Sequence, residues 1–197
     1  MTYYDEIFTK DGAIRPHYAR IYDLWSSIPA KERRALHEKS KPLFSGDYFQ
    51  DPLPRILTRE EIRELRAGVH QRARAILAFL RDYCTRGKRW RRVMSEATLL
   101  AVIERHHPEN ILRKIDPDLL AFPYGPDIIR DLHGRWRIVE DSAGVIGGLG
   151  DLARSRDILY RLMPGLRAIL KEDAGDPLEY LEQLARYFYE RDRKSVV

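Results

Sequence analysis

The sequence has almost no cysteine. Cys84 stands alone among 197 residues, so no internal disulfide can form. It has no Cys-x-x-Cys partner either, which excludes dithiol redox chemistry and a cysteine-based zinc site and leaves a buried or idle thiol as its expected state. Long apolar runs are missing too: no window approaches the ~18 uninterrupted apolar residues of a membrane-spanning helix. Met1 to Arg20 carries Asp5, Glu6, Lys10 and Asp11 where a signal peptide would need an apolar core. A cytoplasmic chain with no membrane partner is the expectation. Internal repeats and low-complexity tracts are absent, which argues against a repeat architecture.

What is present is an ordinary globular balance, with 44% apolar residues in a chain long enough for one domain with a real core. A net charge of +5 and a pI near 9.3 favour a polyanionic partner: nucleic acid, a phosphorylated substrate or an acidic protein surface. The sharpest basic cluster is Arg86, Lys88, Arg89, Arg91 and Arg92 around Trp90. An indole among cations can stack on a base while the cations meet phosphates. A solvated loop between two helices accounts for the cluster equally well.

Periodicity divides the chain. Residues 1–54 read as an irregular opening segment with one or two helices. Tyr18, Ile21, Tyr22 and Trp25 mark a helical face within His17 to Ser27, a second short helix begins after Pro29, and Pro42, Gly46, Pro52 and Pro54 break the pattern. Residues 55–120 read as helical. The strongest element there runs from Arg59 to Cys84, opened by Thr58 and Glu61 as a capping box and striped by Ile62, Leu65, Val69, Ile76, Leu77 and Leu80. A helix from about Ser95 to His106 and a short one from Glu109 to Ile115 follow. His106 and His107 suggest a metal, but adjacent residues on a helix point in different directions, so a polar helix end is favoured. Period two takes over at 126–142 and helix returns over 151–192, restarted by Pro177. The expected fold is α+β: a single, mostly helical domain over 1–197 with a small antiparallel sheet built around the 127–142 hairpin.

That hairpin carries the chemistry. β-branched and aromatic residues flank His133-Gly134, which reads as a two-residue turn with glycine at positive φ. The turn then pairs Ile129 with Ile138, Ile128 with Val139 and Asp127 with Glu140. Facing Cβ atoms lie about 4.5–5.5 Å apart, so two carboxylates there repel unless something compensates them. A divalent cation does so, with Ser142 adding an oxygen from the same face. The alternative is an exposed hairpin whose carboxylates pair separately with Arg130 or Arg137, and a one-residue change of register would put them on opposite faces. Downstream, Gly144 to Gly150 opens a helix as a glycine-rich passage whose amides can take an anion. Arg154 and Arg156 lie in the helix's first turns. This passage has neither the Walker lysine nor dinucleotide spacing.

An aspartate, twelve intervening residues and then Glu-x-Ser resembles the Asp…Glu-x-Asn metal motif of ATP-grasp enzymes. Tyr4-Asp-Glu-Ile-Phe8, Pro16-His-Tyr18, Glu140-Asp-Ser142 and the glycines from 144 to 150 follow the order of motifs in circularly permuted ATP-grasp proteins, so the resemblance spans nearly the whole chain. It implies formation of an acyl phosphate from a carboxylate and ATP, then attack by an amine or other nucleophile. Asp127, Glu140 and Ser142 would hold magnesium, Gly147, Gly148 and Gly150 would meet the nucleotide, and Arg154 and Arg156 would contact phosphate or substrate. A small carboxylate would be the substrate.

Ser142 departs from the usual asparagine. In the permuted arrangement the nucleotide-cradling lysines lie C-terminal to this motif, and no second half is evident before Val197. A truncated product, a chain served by a separate partner carrying that half, and a non-catalytic module all remain open as expectations. The rival from another class is a basic helical module that binds nucleic acid or an acidic protein through Arg86 to Arg92, nucleic acid being the less expected partner.

Overall fold

The computed structural model describes residues 4–40, 52–106, 116–144, 146–170 and 177–195. In chain order the elements are α1 (Ala19–Ser27), α2 (Ala30–Ser40), α3 (Arg59–Cys84), α4 (Glu96–His106), β1 (Tyr124–Arg130), β2 (Trp136–Ala143), α5 (Leu149–Leu162), α6 (Pro164–Leu170) and α7 (Pro177–Ser195). This is the expected α+β class, helical with one two-stranded antiparallel sheet. Pro42, Gly46, His107 and the helix expected over 109–115 lie outside the described residues, as does the side chain of His106. No helix among the described residues is long and apolar enough to cross a membrane.

The chain divides into two compact units, one of Met1–Thr58 with Gly147–Val197 and the other of Arg59–Ile146. In the first, Asp5 accepts the N–H groups of Ile7 and Phe8 at 2.8 Å each, which turns the chain so that Phe8 bridges to Ile14. The Pro16-His-Tyr18 motif is a single 3₁₀ turn leading into α1. Tyr18 is buried by it, and its hydroxyl accepts the Ile56 N–H at 2.8 Å, tying the segment after α2 to the start of α1. Ile21, Leu159, Met163 and Leu166 form the core, with Leu24, Trp25, Leu36, Leu53 and Ile56 packed around it. α6 reaches this core because residue 165 is glycine: a Cβ there would meet Leu24 at 2.9 Å.

In the second unit α3 has the predicted limits, and its half-buried positions recur every three to four residues (61, 65, 69, 73, 76, 80), which defines one packed face. Ile62, counted in the expected stripe, is exposed. Cys84 is buried, as expected, and as the single cysteine of the chain it forms no internal disulfide. Beyond α3 the chain folds back so that Trp90, 4% exposed, packs with Tyr83 and Leu99. Its indole N–H donates to the Gly87 carbonyl at 2.9 Å, its backbone N–H donates to Asp82 at 2.9 Å, and the Tyr83 ring meets it edge-on at 6.0 Å. The Trp90 cluster therefore departs from the stacking-platform reading. The arginines lie outside, but the aromatic surface a base would need is spent on the core. Ser95 accepts the Thr98 N–H at 3.1 Å and so caps α4 one residue after its expected start.

Truncating this anchor should be costly: Trp90→Ala should lower unfolding stability by about 3–5 kcal/mol in urea titrations, since it empties a filled site. Val93→Ala, at a position 80% exposed, should change it by less than about 0.5 kcal/mol.

Candidate functional site

The hairpin begins with a loop one residue longer than expected. Asp131 and Arg135 close it through Asp131 N–H to Arg135 O at 2.9 Å, leaving Leu132, His133 and Gly134 in the loop, and Gly134 has φ +77°. The reason is Asp131, whose carboxylate accepts the N–H of His133 (2.9 Å) and of Arg135 (3.0 Å) and the guanidinium N–H groups of Arg135 and Arg137 (2.9 and 3.0 Å). Partial burial opposes ionisation here. The two backbone N–H groups and two guanidiniums outweigh it and hold the carboxyl well below the usual carboxylate range.

The longer loop moves the pairing by one residue: Arg130 faces Trp136, Ile129 faces Arg137 and Ile128 faces Ile138. The expected partners Ile138 for Ile129 and Val139 for Ile128 are thus corrected. Carried on unchanged, this register would place Asp127 opposite Val139 and turn Glu140 to the other face. A bulge intervenes. The register shifts between Asp127 and Ile128, leaving Val139 as the extra residue of β2, and beyond it Asp127 faces Glu140, Pro126 faces Asp141 and Gly125 faces Ser142. The carboxylate pair survives because two irregularities cancel.

The sheet now has two distinct faces. On one lie the half-buried Tyr124, Pro126, Ile128, Arg130, Trp136 and Ile138 together with Asp141, and from this face Arg130 and Asp141 bond to α3. Arg130, its side chain 7% exposed, donates to Glu61 of α3 at 2.5 Å and to the Gly134 carbonyl at 3.2 Å, with its guanidinium 3.6 Å from the Trp136 ring centroid. Glu61, expected as a capping residue, thus anchors the hairpin. Toward the open end of the hairpin, Arg72 of α3 grips both oxygens of Asp141 at 2.6 Å each, and the Tyr124 hydroxyl donates to the same carboxylate at 2.5 Å. The Arg72 bonds, then that of Tyr124, hold the Asp141 carboxyl down at about 2. Burial first, then this bond, pushes the Tyr124 phenol up to about 12.

The other face carries Asp127 and Glu140, both exposed, with Ser142 half-buried beside them. Among the described residues neither carboxylate has a hydrogen-bonding or ion-pairing partner. Arg130 is given to Glu61 and Arg137 to Asp131, so the expected alternative of separate pairing is not what the hairpin adopts. Two uncompensated carboxylates and a hydroxyl on one face form a hard-oxygen donor set that fits magnesium, which takes one or two carboxylates and completes its shell with water and phosphate oxygens. Among the described residues no three His, Cys, Asp or Glu side chains gather as a metal cluster, so the set rests on these two acids. Ile146 closes one end of this face. It lies over Gly125, where a Cβ would meet it at 2.9 Å.

Gly147 to Gly150 and the two arginines belong to the first unit, and Gly144 to the second. Gly148 caps α5 in the left-handed region, φ +79°, and around Gly147, Gly148 and Gly150 an added Cβ would meet nothing within 4 Å. The backbone there is open to an approaching group. Arg154 is exposed, whereas Arg156 is half-buried, its Nε donating to Tyr160 Oη at 3.1 Å with the guanidinium over that ring. Two residues apart on a helix, they face different directions.

Comparison with known proteins adds lineage to this geometry. Residues 54–195 match the circularly permuted ATP-grasp type 2 family. The chain belongs to that family. An uncharacterized protein of Mycobacterium leprae is 26% identical over 195 residues, covering 93% of this chain and 34% of that protein. One of Synechocystis is 24% identical over 200 residues, covering 92% and 42%. A Frankia casuarinae protein provisionally named a glutamate–cysteine ligase is 25% identical over 182 residues, covering 84% and 21%. The chain thus spans about a third of the length of the first of these relatives. No solved structure matches it.

The loop aspartate makes one pH dependence explicit. Its folded carboxyl titrates lower than its unfolded one, so its stabilisation is full above about pH 4, the unfolded value, and fades as pH falls below it. Urea midpoints should therefore rise from pH 2 to pH 5, and Asp131→Asn should flatten that rise.

Proposed function

We propose that this chain carries the magnesium-holding element of an ATP-dependent ligase that joins a carboxylate to an amine. The observation that supports it most is the outer hairpin face, where a compensated pair of irregularities sets Asp127 opposite Glu140, with no cationic partner for either among the described residues. Membership of the ATP-grasp family and the Frankia ligase relative support the reaction class.

In this reading the γ-phosphoryl group of ATP passes to the substrate carboxylate, giving ADP and an acyl phosphate. An amine then attacks the acyl carbon and inorganic phosphate leaves. Magnesium, when bound, offsets phosphate charge during transfer. Asp127 and Glu140 would supply its charged ligands and Ser142 a neutral one. The serine hydroxyl is shorter than the asparagine carboxamide of the usual motif, so it reaches less far and leaves more of the cation's shell to water. Exposed Arg154 and the open amides at Gly147, Gly148 and Gly150 would receive an anionic group. Arg156, engaged with Tyr160, has the weaker claim to direct contact.

Magnesium with ATP, at about a hundred times Kd, should stabilise the folded chain by about 2.7 kcal/mol in thermal melts. Glu140→Gln and Asp127→Asn should each remove the shift while leaving the metal-free midpoint nearly unchanged, because both side chains are exposed. A shift retained in both variants would place the cation elsewhere.

A further inference from the structure

We infer that Arg72 and Tyr124 are positioning residues for the outer carboxylates, acting through Asp141; this rests on the reading of Asp127, Glu140 and Ser142 as a cation site. Asp141 stands between Glu140 and Ser142, and neighbouring residues of a strand point to opposite faces. Whatever holds Asp141 toward α3 therefore turns Glu140 and Ser142 outward. The hold is complete: both carboxylate oxygens are taken by Arg72 at 2.6 Å, and one also accepts the Tyr124 hydroxyl at 2.5 Å.

The clamp matters because of where the ladder is interrupted. Val139 is unpaired, one residue before Glu140, and strand pairing alone accommodates the register on either side of such a bulge. Sliding β2 back by one residue would carry Asp141 to the outer face opposite Gly125 and Glu140 to the α3 face. Three consecutive polar residues, Glu140-Asp141-Ser142, offer no hydrophobic pattern to forbid that slip. Arg72 and Tyr124 oppose it by fit: the slip would break their three bonds to Asp141 and bring Glu140, whose carboxylate sits one methylene further from the strand, into a clamp closed on the shorter side chain. The same clamp withholds Asp141 from the cation, so the site keeps two acids rather than three.

Mn2+ titration of the full chain, read by electron paramagnetic resonance, tests this. Wild type should bind, and Glu140→Gln should not. Arg72→Gln should weaken Mn2+ about tenfold, as loss of an outer-sphere support does. Arg72→Lys, still cationic but not bidentate, should recover part of the loss, Tyr124→Phe should weaken binding less, and Arg74→Gln on the same helix should leave it unchanged. A purely structural role would leave Mn2+ affinity of the folded Arg72→Gln and Tyr124→Phe proteins at the wild-type value, and that result overturns the proposal while the cation site stands. Failure of wild type to bind Mn2+, or binding retained in Glu140→Gln, overturns the site and the proposal together.

Discussion

Two ion pairs join one helix and one hairpin of the second unit and set how the hairpin is held. Glu61 and Arg72 are eleven residues apart on α3, three turns and about 16 Å along the axis, so they share a face. Their partners Arg130 and Asp141 lie four ladder positions apart, about 13 Å, on the facing side of the sheet. The near match of these lengths lets a rigid helix grip both ends of the hairpin at once. A two-stranded sheet is marginal on its own. Fastened at both ends it becomes a plate with a fixed inner and outer face.

That division of faces decides what the acids do. Of the carboxylates along the hairpin, Asp131 organises the loop and Asp141 is held by arginine and tyrosine, so both are spent on structure. Asp127 and Glu140 are left over on the outer face. Compensation inside the protein is what separates a structural carboxylate from one available to a cation, and no property of an isolated Asp or Glu foretells it. The family relation supplies the chemistry such a face serves, while the geometry identifies which acids remain to serve it.

The basic loop shows the same logic in reverse. Arg86 to Arg92 looks like a nucleic-acid patch because it interleaves cations with an indole. The indole, however, is the largest apolar group near a helix end that needs a core, and burying it beside Tyr83 outweighs leaving it in water. Its N–H finds the Gly87 carbonyl, so burial leaves no polar group unpaired.

Several features were legible in the residues themselves: the limits of α3 from its stripe and breakers, the start of α7 at Pro177, the α+β class, the hairpin centred on Gly134, and the meeting of Asp127 with Glu140. Local periodicity and turn chemistry suffice for these, because each depends on neighbours in sequence. The three-residue loop, the bulge at Val139, and the parts played by Arg72, Tyr124 and Glu61 were not legible. They depend on groups up to 69 residues apart meeting in space. The expected pairing of the two acids was right, although its assumed turn was wrong by one residue and a second irregularity restored it. Sequence determines which side chains can meet across a strand pair; the bonds that Glu61 and Arg72 of α3 make to Arg130 and Asp141 decide which face turns inward, because they join groups far apart in the chain.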